Sequence, residues 1–151
     1  MRSSRRAAPI SCLLGLACLL LLSACGKPAG STASIGPAGP VNIELGIYSG
    51  RPDPGWTLST TQATALESIL ATLPDRTATP PVGGLGYHGF TILFPGSPMV
   101  AYLGTIAPPG DGPRAGKLDA SRSVERYLLE TGRPYLNAVE YGAVAASLGN
   151  G

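Results

Sequence analysis

The apolar run from Ile10 to Leu22 constrains this chain more than any other feature of its sequence. It follows a basic start containing Arg2, Arg5 and Arg6, and it is too short to cross a hydrocarbon layer of about 30 Å as a helix. Those are the proportions of the hydrophobic region of a secretory leader. A leader adds nothing to a folded core, so the core must be built from residues further along. The expected division is a signal peptide over 1–24, a tether over 25–40 and one domain over 41–149.

The run closes on Leu22-Ser23-Ala24-Cys25, an apolar residue and two small ones ahead of a cysteine. This junction resembles the lipobox of bacterial lipoproteins. The resemblance implies that the Cys25 thiol takes up diacylglycerol and that cleavage makes Cys25 the first residue of the mature chain, with membrane lipid as its partner. Each buried CH₂ of an acyl chain contributes about 0.8 kcal/mol, so two chains anchor stably where one does not. The competing reading is an ordinary cysteine behind an uncleaved leader or one cut after Ala24. By the same resemblance, Gly26 in place of Asp favours the outer membrane of a diderm envelope, or the outer leaflet of the cell membrane in a monoderm. Arg5-Arg6 invites a twin-arginine export signal, but Ala7-Ala8-Pro9 lacks the hydrophobic continuation, which leaves ordinary secretion favoured.

Cys12 and Cys18 fall inside the leader and Cys25 is assigned to lipid, so no thiol is expected for disulfides, thiolate catalysis or metal binding. Removing Arg2, Arg5 and Arg6 from the eleven basic residues leaves eight against nine acidic ones, so the net charge of +2 belongs to the leader. A near-neutral mature chain lacks the clustered basic face that nucleic acid requires. Lys27 alone makes no polybasic patch beside the anchor.

Gly26 to Pro40 is rich in Gly, Ala, Ser and Pro without hydrophobic periodicity, the composition of a flexible spacer. After it, Val41, Ile43, Leu45 and Ile47 alternate with Asn42, Glu44, Gly46 and Tyr48, which predicts a strand with one buried face and a solvated Glu44. Ser59-Thr60-Thr61-Gln62 reads as a capping box, and Leu66, Ile69, Leu70 and Leu73 recur on one helical face until Pro74. Residues 75–85 read as turns. Tyr87 to Phe94 and Met99 to Ile106 read as a hairpin across Pro95-Gly96-Ser97-Pro98, central in a sheet or covered on both faces, and 107–117 as a further loop. Asp119 is the expected N-cap of a helix bearing Val124, Tyr127 and Leu128 and closed by Gly132. Pro134 then opens a last helix with Leu136, Val139, Ala143 and Ala146 inward, unless 135–144 form a strand. The expected fold is α+β, a small antiparallel-containing sheet with two or three helices on one face, in the order β-α-β-β-α-α or β-α-β-β-α-β.

Ser49-Gly50-Arg51-Pro52-Asp53-Pro54-Gly55-Trp56 is the most distinctive segment. Its prolines fix φ and hold Arg51 and Asp53 extended, so the loop is stiff. It resembles a Ser-Gly-Arg-Pro-Asn/Asp-Pro-x-Trp signature of small, mostly bacterial proteins, and the similarity runs on through Gly86-Tyr87-His88-Gly89-Phe90 and the region from Glu125 to Glu130. The resemblance implies no activity. Two readings of Arg51, Asp53 and Trp56 follow. In the favoured one they are an internal lock, with Trp56 over the sheet and Arg51 paired with Asp53 or a helix C-terminus. In the other they form a candidate binding loop, since Trp and Arg are enriched at interface hot spots.

His88 is the only histidine, and it lies on an expected strand with no Gly-x-Ser-x-Gly segment to supply a nucleophile. Gly83-Gly84-Leu85-Gly86 precedes a strand, whereas a phosphate loop follows one and opens a helix. No catalytic residue, metal or cofactor is therefore assigned. The expected function is that of a lipid-anchored cell-envelope interaction or binding module, with an envelope protein or polymer as partner. An envelope hydrolase using His88 and carboxylates is the alternative, and a purely structural lipoprotein the second alternative.

Overall fold

Val41, Ile43 and Leu45 are fully buried while Glu44 is exposed, as a strand with one face in the core requires. This is β1 (Asn42–Gly46) in the computed structural model, which describes residues 39–81 and 83–149. The segments read as leader, lipobox and spacer, with Cys25, lie outside the described residues up to residue 38. After β1 come β2 (Gly55–Thr57), α1 (Thr60–Thr72), β3 (Asp75–Ala78), β4 (Gly89–Phe94), β5 (Ser97–Tyr102), β6 (Thr105–Ala107), β7 (Arg114–Leu118), α2 (Ser123–Gly132) and α3 (Ala138–Gly149). The strands form one antiparallel sheet in the order β2-β1-β4-β5-β6-β7-β3. The fold is α+β, as the sequence predicts, with a larger sheet.

Register aligns the apolar side chains into rows. Ile43 faces Trp56 on one side and Ile92 on the other, while Leu45, Phe90, Ala101 and Ile106 form a second row across four strands. Leu66 and Leu70 of α1, Val124 and Leu128 of α2, and Val144 and Leu148 of α3 pack onto the same core. Each fully buried side chain of this size contributes roughly 1.5–3 kcal/mol. The β4–β5 hairpin is central, as expected, but its loop is tighter: Phe94 pairs with Ser97 across Pro95 and Gly96, whose φ is 79°.

Several local expectations need correction. The run from Met99 to Ile106 is two strands, β5 and β6, joined by Leu103 and Gly104 with φ of 47° and 72°. Positive φ at both central residues is the pattern of the tight hairpin turn whose twist suits antiparallel strands. The segments read as loops over 75–85 and 107–117 each contain a strand, β3 and β7, paired to one another. The last segment is the helix α3 and not a strand. Pro134 does not open it: Asn137 Oδ1 accepts from the amides of Val139 (2.9 Å) and Glu140 (3.0 Å), so the helix begins after Asn137. Val144 and Leu148 form its inner face, whereas Val139, 80 % exposed, and Ala143 and Ala146 point outward.

At α1 the capping box is complete: the Gln62 amide N–H donates to Ser59 Oγ (3.3 Å) and the Ser59 amide to Gln62 Oε1 (2.9 Å). At α2 the N-cap position belongs to Arg122, in the left-handed region at φ 54°. Asp119 still serves the helix start from further upstream, accepting from the Val124 amide at 2.8 Å and from the hydroxyls of Ser121 and Ser123. Gly132, expected just past α2, is its last residue.

Candidate functional site

The loop joining β1 to β2 is held from inside by Asp53. Its Oδ1 accepts from the amides of Ile47 (3.0 Å) and Tyr48 (2.8 Å), the local bonding by which Asp organises a turn. Arg51 lies over the Tyr48 ring, 3.4 Å from its centroid, a cation–π arrangement that leaves its side chain 62 % exposed. The Tyr48 hydroxyl donates to Glu140 Oε1, and the Arg51 guanidinium stands 3.9 Å from the same oxygen. Glu140 Oε2 accepts from the Asn137 amide at 2.9 Å, which closes a reciprocal cap with Asn137 at the start of α3. One carboxylate thus joins the loop to a helix N-terminus, where negative charge is favoured. Arg51 pairs with neither Asp53 nor a helix C-terminus; its partner is an acid in the first turn of α3.

The Tyr48 hydrogen bond, followed by that from the Asn137 backbone, holds the Glu140 carboxyl below its usual range, and the same bond raises the Tyr48 phenol. A lowered folded value means that the Glu140 contribution is complete above the unfolded carboxyl value of about 4.3 and is lost as pH falls through the folded value. Acidification is therefore expected to free the loop from α3 at a pH below the ordinary Glu range. Carboxyl NMR titration checks this: a Glu140 midpoint at or above that of a free glutamate would remove the latch.

Trp56 is 6 % exposed and belongs to the core. Its Nε1 donates to Thr131 Oγ1 (3.1 Å), its ring meets Phe90 edge-on and Tyr135 stacks on it, both at 6.2 Å between centroids. A Cβ on Gly132 would stand 2.6 Å from the indole, so α2 approaches Trp56 through a residue without a side chain. The loop presents Ser49 to Asp53 to solvent, with the indole beneath Tyr135 of the α2–α3 connection.

His88 is half-buried, its Nδ1 2.7 Å from the carbonyl of Gly86 and its ring packed on Gly46. A Cβ on Gly46 would come within 2.5 Å of that ring. Its hydrogen bonds among the described residues join it to backbone and to no carboxylate. No three His, Cys, Asp or Glu side chains gather among the described residues in a way that would hold a metal ion.

A buried charge cluster that the sequence pattern does not announce lies at the α2 N-terminus. Glu125, 1 % exposed, receives Arg122 through Nε (2.9 Å to Oε2) and Nη2 (2.7 Å to Oε1), the Tyr87 hydroxyl (2.6 Å to Oε1) and the Gly104 amide (3.1 Å to Oε2). Arg122 Nη1 also donates to the Ser147 carbonyl (2.7 Å), and Arg126 Nη2 to that of Leu148 (2.9 Å), so two guanidinium groups cap the C-terminal end of α3. Burial, reinforced by the neighbouring Glu125 charge, pushes the Tyr87 phenol far above its ordinary range, so it stays a neutral donor. The left-handed backbone at Arg122, which costs roughly 1–2 kcal/mol, turns its side chain into the cluster. Glu125 on a helix with polar neighbours carries no sequence sign of such burial.

The architecture defines an α+β protein with one antiparallel sheet and helices over one face, and with a surface loop latched by Tyr48, Arg51 and Glu140. Comparison of the chain with protein-family models, with curated proteins and with solved structures finds no match.

Proposed function

We propose that the protein is a lipid-anchored component of a bacterial cell envelope whose domain acts as an interaction module. The observation that carries the reading is Leu22-Ser23-Ala24-Cys25 at the end of a leader-like apolar run, followed by a Gly-, Ala-, Ser- and Pro-rich spacer that leads directly to the folded domain at Val41. The acylated Cys25 holds the domain at a membrane surface, in the outer membrane of a diderm or on the outer leaflet of a monoderm. The binding surface is the exposed part of the β1–β2 loop, Arg51 to Asp53. Arg51 is set on Tyr48 at little further cost in side-chain freedom, and Arg and Tyr are residue types that carry interface energy. Trp56 supports this surface from the core.

Cys25→Ser tests the anchor. The variant is expected to lose palmitate labelling and to accumulate as unprocessed precursor, and normal labelling would sink the lipoprotein reading. Crosslinking in intact cells from a photoreactive residue in place of the exposed Ser49, with Arg51 left intact, tests the module. A discrete envelope protein or polymer adduct is expected; its absence in protein that retains Cys25 would remove the loop as a binding surface.

A further inference from the structure

β3 is the outer strand at the end of the sheet opposite β2. The Leu118 amide donates to the Pro74 carbonyl at 3.0 Å, and register sets Arg76 opposite Gly116 and Ala78 opposite Arg114. In an antiparallel ladder the hydrogen-bonded pairs alternate, so the backbone groups of Arg76 and Ala78 turn toward β7 and those of Asp75 and Thr77 turn outward. Over the face of β3 and β7 a groove of about 580 Å³ opens, lined by Asp75, Arg76 and Thr77 of β3, Ala115 and Lys117 of β7, and Met99 of β5. A volume in this range suits a ligand or a side chain.

The charges around this edge are uneven. Lys117 Nζ engages Asp75 at 2.8 Å and the Leu73 carbonyl at 3.3 Å, so the one acid of the strand is already matched. Arg76 is exposed and has no ion-pair partner among the described residues. Arg114 lies diagonally across on the same face as Arg76, and its buried Nε has no hydrogen-bond partner.

We propose that β3 accepts an extended acidic segment of another protein as an additional strand. Its backbone bonds to the outward N–H and C=O groups of Asp75 and Thr77, which supplies affinity, while alternate side chains supply specificity. Those on one face lie beside Thr77 at the near rim of the groove and are apolar. Those on the other face lie beside Arg76 and are acidic, because opposite charges across a strand pair are favourable and like charges are not. A second copy of this chain fits less well. An antiparallel register centred on Arg76 sets guanidinium against guanidinium, and one centred on Thr77 offers Arg76 only Ala78. Pro74 and Pro80 bracket the strand and limit the added segment to a short footprint. The site is independent of anchoring at Cys25.

The test uses purified full-length protein in detergent micelles and a fluorescein-labelled peptide, Thr-Val-Glu-Val-Glu-Thr, with the corresponding Lys-for-Glu peptide as control. Saturable anisotropy change with the acidic peptide is expected, together with slowed hydrogen exchange over residues 75–78. Arg76→Glu is expected to weaken that binding about tenfold, equivalent to about 1.4 kcal/mol, and to improve binding of the Lys peptide. The variant changes an exposed side chain, and an unchanged melting temperature verifies its fold. Equal binding of both peptides, slowed exchange elsewhere, no saturable binding, or a dimer that protects 75–78 without peptide would each overturn the proposal.

Discussion

Glu125→Ala is expected to destabilise the domain by about 3–5 kcal/mol, the range for breaking a buried ion pair by removing one partner. The size follows from what the carboxylate serves. It compensates the Arg122 guanidinium in the interior and satisfies the Tyr87 hydroxyl and the Gly104 amide, so its loss leaves one charge and two donors unpaired. It also ties the β5–β6 turn and the segment before β4 to the start of α2, and through Arg122 to the end of α3. Against a total stability of about 5–15 kcal/mol for a domain, that loss takes a large share. Tyr87→Phe removes one charge-assisted bond and leaves the pair intact, so it is expected to cost about 1.5–3 kcal/mol. Urea denaturation with an unchanged slope measures both. A Glu125→Ala cost under about 1 kcal/mol would mean that water reaches the pair and that the cluster does not hold these elements together.

Trp56→Ala is expected to cost about 3–5 kcal/mol, as large-to-small truncation of a core aromatic does. The indole fills the space between Phe90, Tyr135 and Gly132, and the glycine has no side chain to occupy the cavity that truncation leaves. The truncation also leaves the Thr131 hydroxyl with its bond to the Leu128 carbonyl alone. The cost should appear in the free protein, before any partner is added. A variant that melts near the wild-type temperature would show that the indole is not part of the core, and would return Trp56 to the exposed face of the β1–β2 loop.

What could be read ahead of the structure was local. The alternation from Val41 to Tyr48 specifies one buried face because strand side chains repeat every two residues, and Leu45 and Ile43 do face the core. Ser59 and Gln62 lie three residues apart, and their cap needs no distant partner. The strands β3 and β7 were not legible for the opposite reason. Asp75-Arg76-Thr77-Ala78 and Arg114-Ala115-Gly116-Lys117-Leu118 have little apolar alternation of their own; β7 is a strand because β6 and β3 flank it in register, and β3 because β7 lies beside it. The inner face of α3 was misplaced because Ala and Val occupy half of its positions and lie all around the helix, which blurs the periodicity that normally marks a buried side.

The candidate loop divides in the same way. Stiffness at Pro52 and Pro54 and the turn-forming role of Asp53 follow from covalent geometry and local hydrogen bonding, so the sequence by itself determined that this segment is ordered. It determined as well the α+β class, because strand and helix periodicities are matters of residue order along short stretches of chain. Only the tertiary structure decided that Trp56 is core, that Arg51 stands on Tyr48 beside Glu140, and that Glu125 is buried with Arg122. Each of these depends on residues far apart in sequence or on a left-handed backbone at one position. Their energies come from desolvation and close packing, which do not exist until the helices have closed over the sheet.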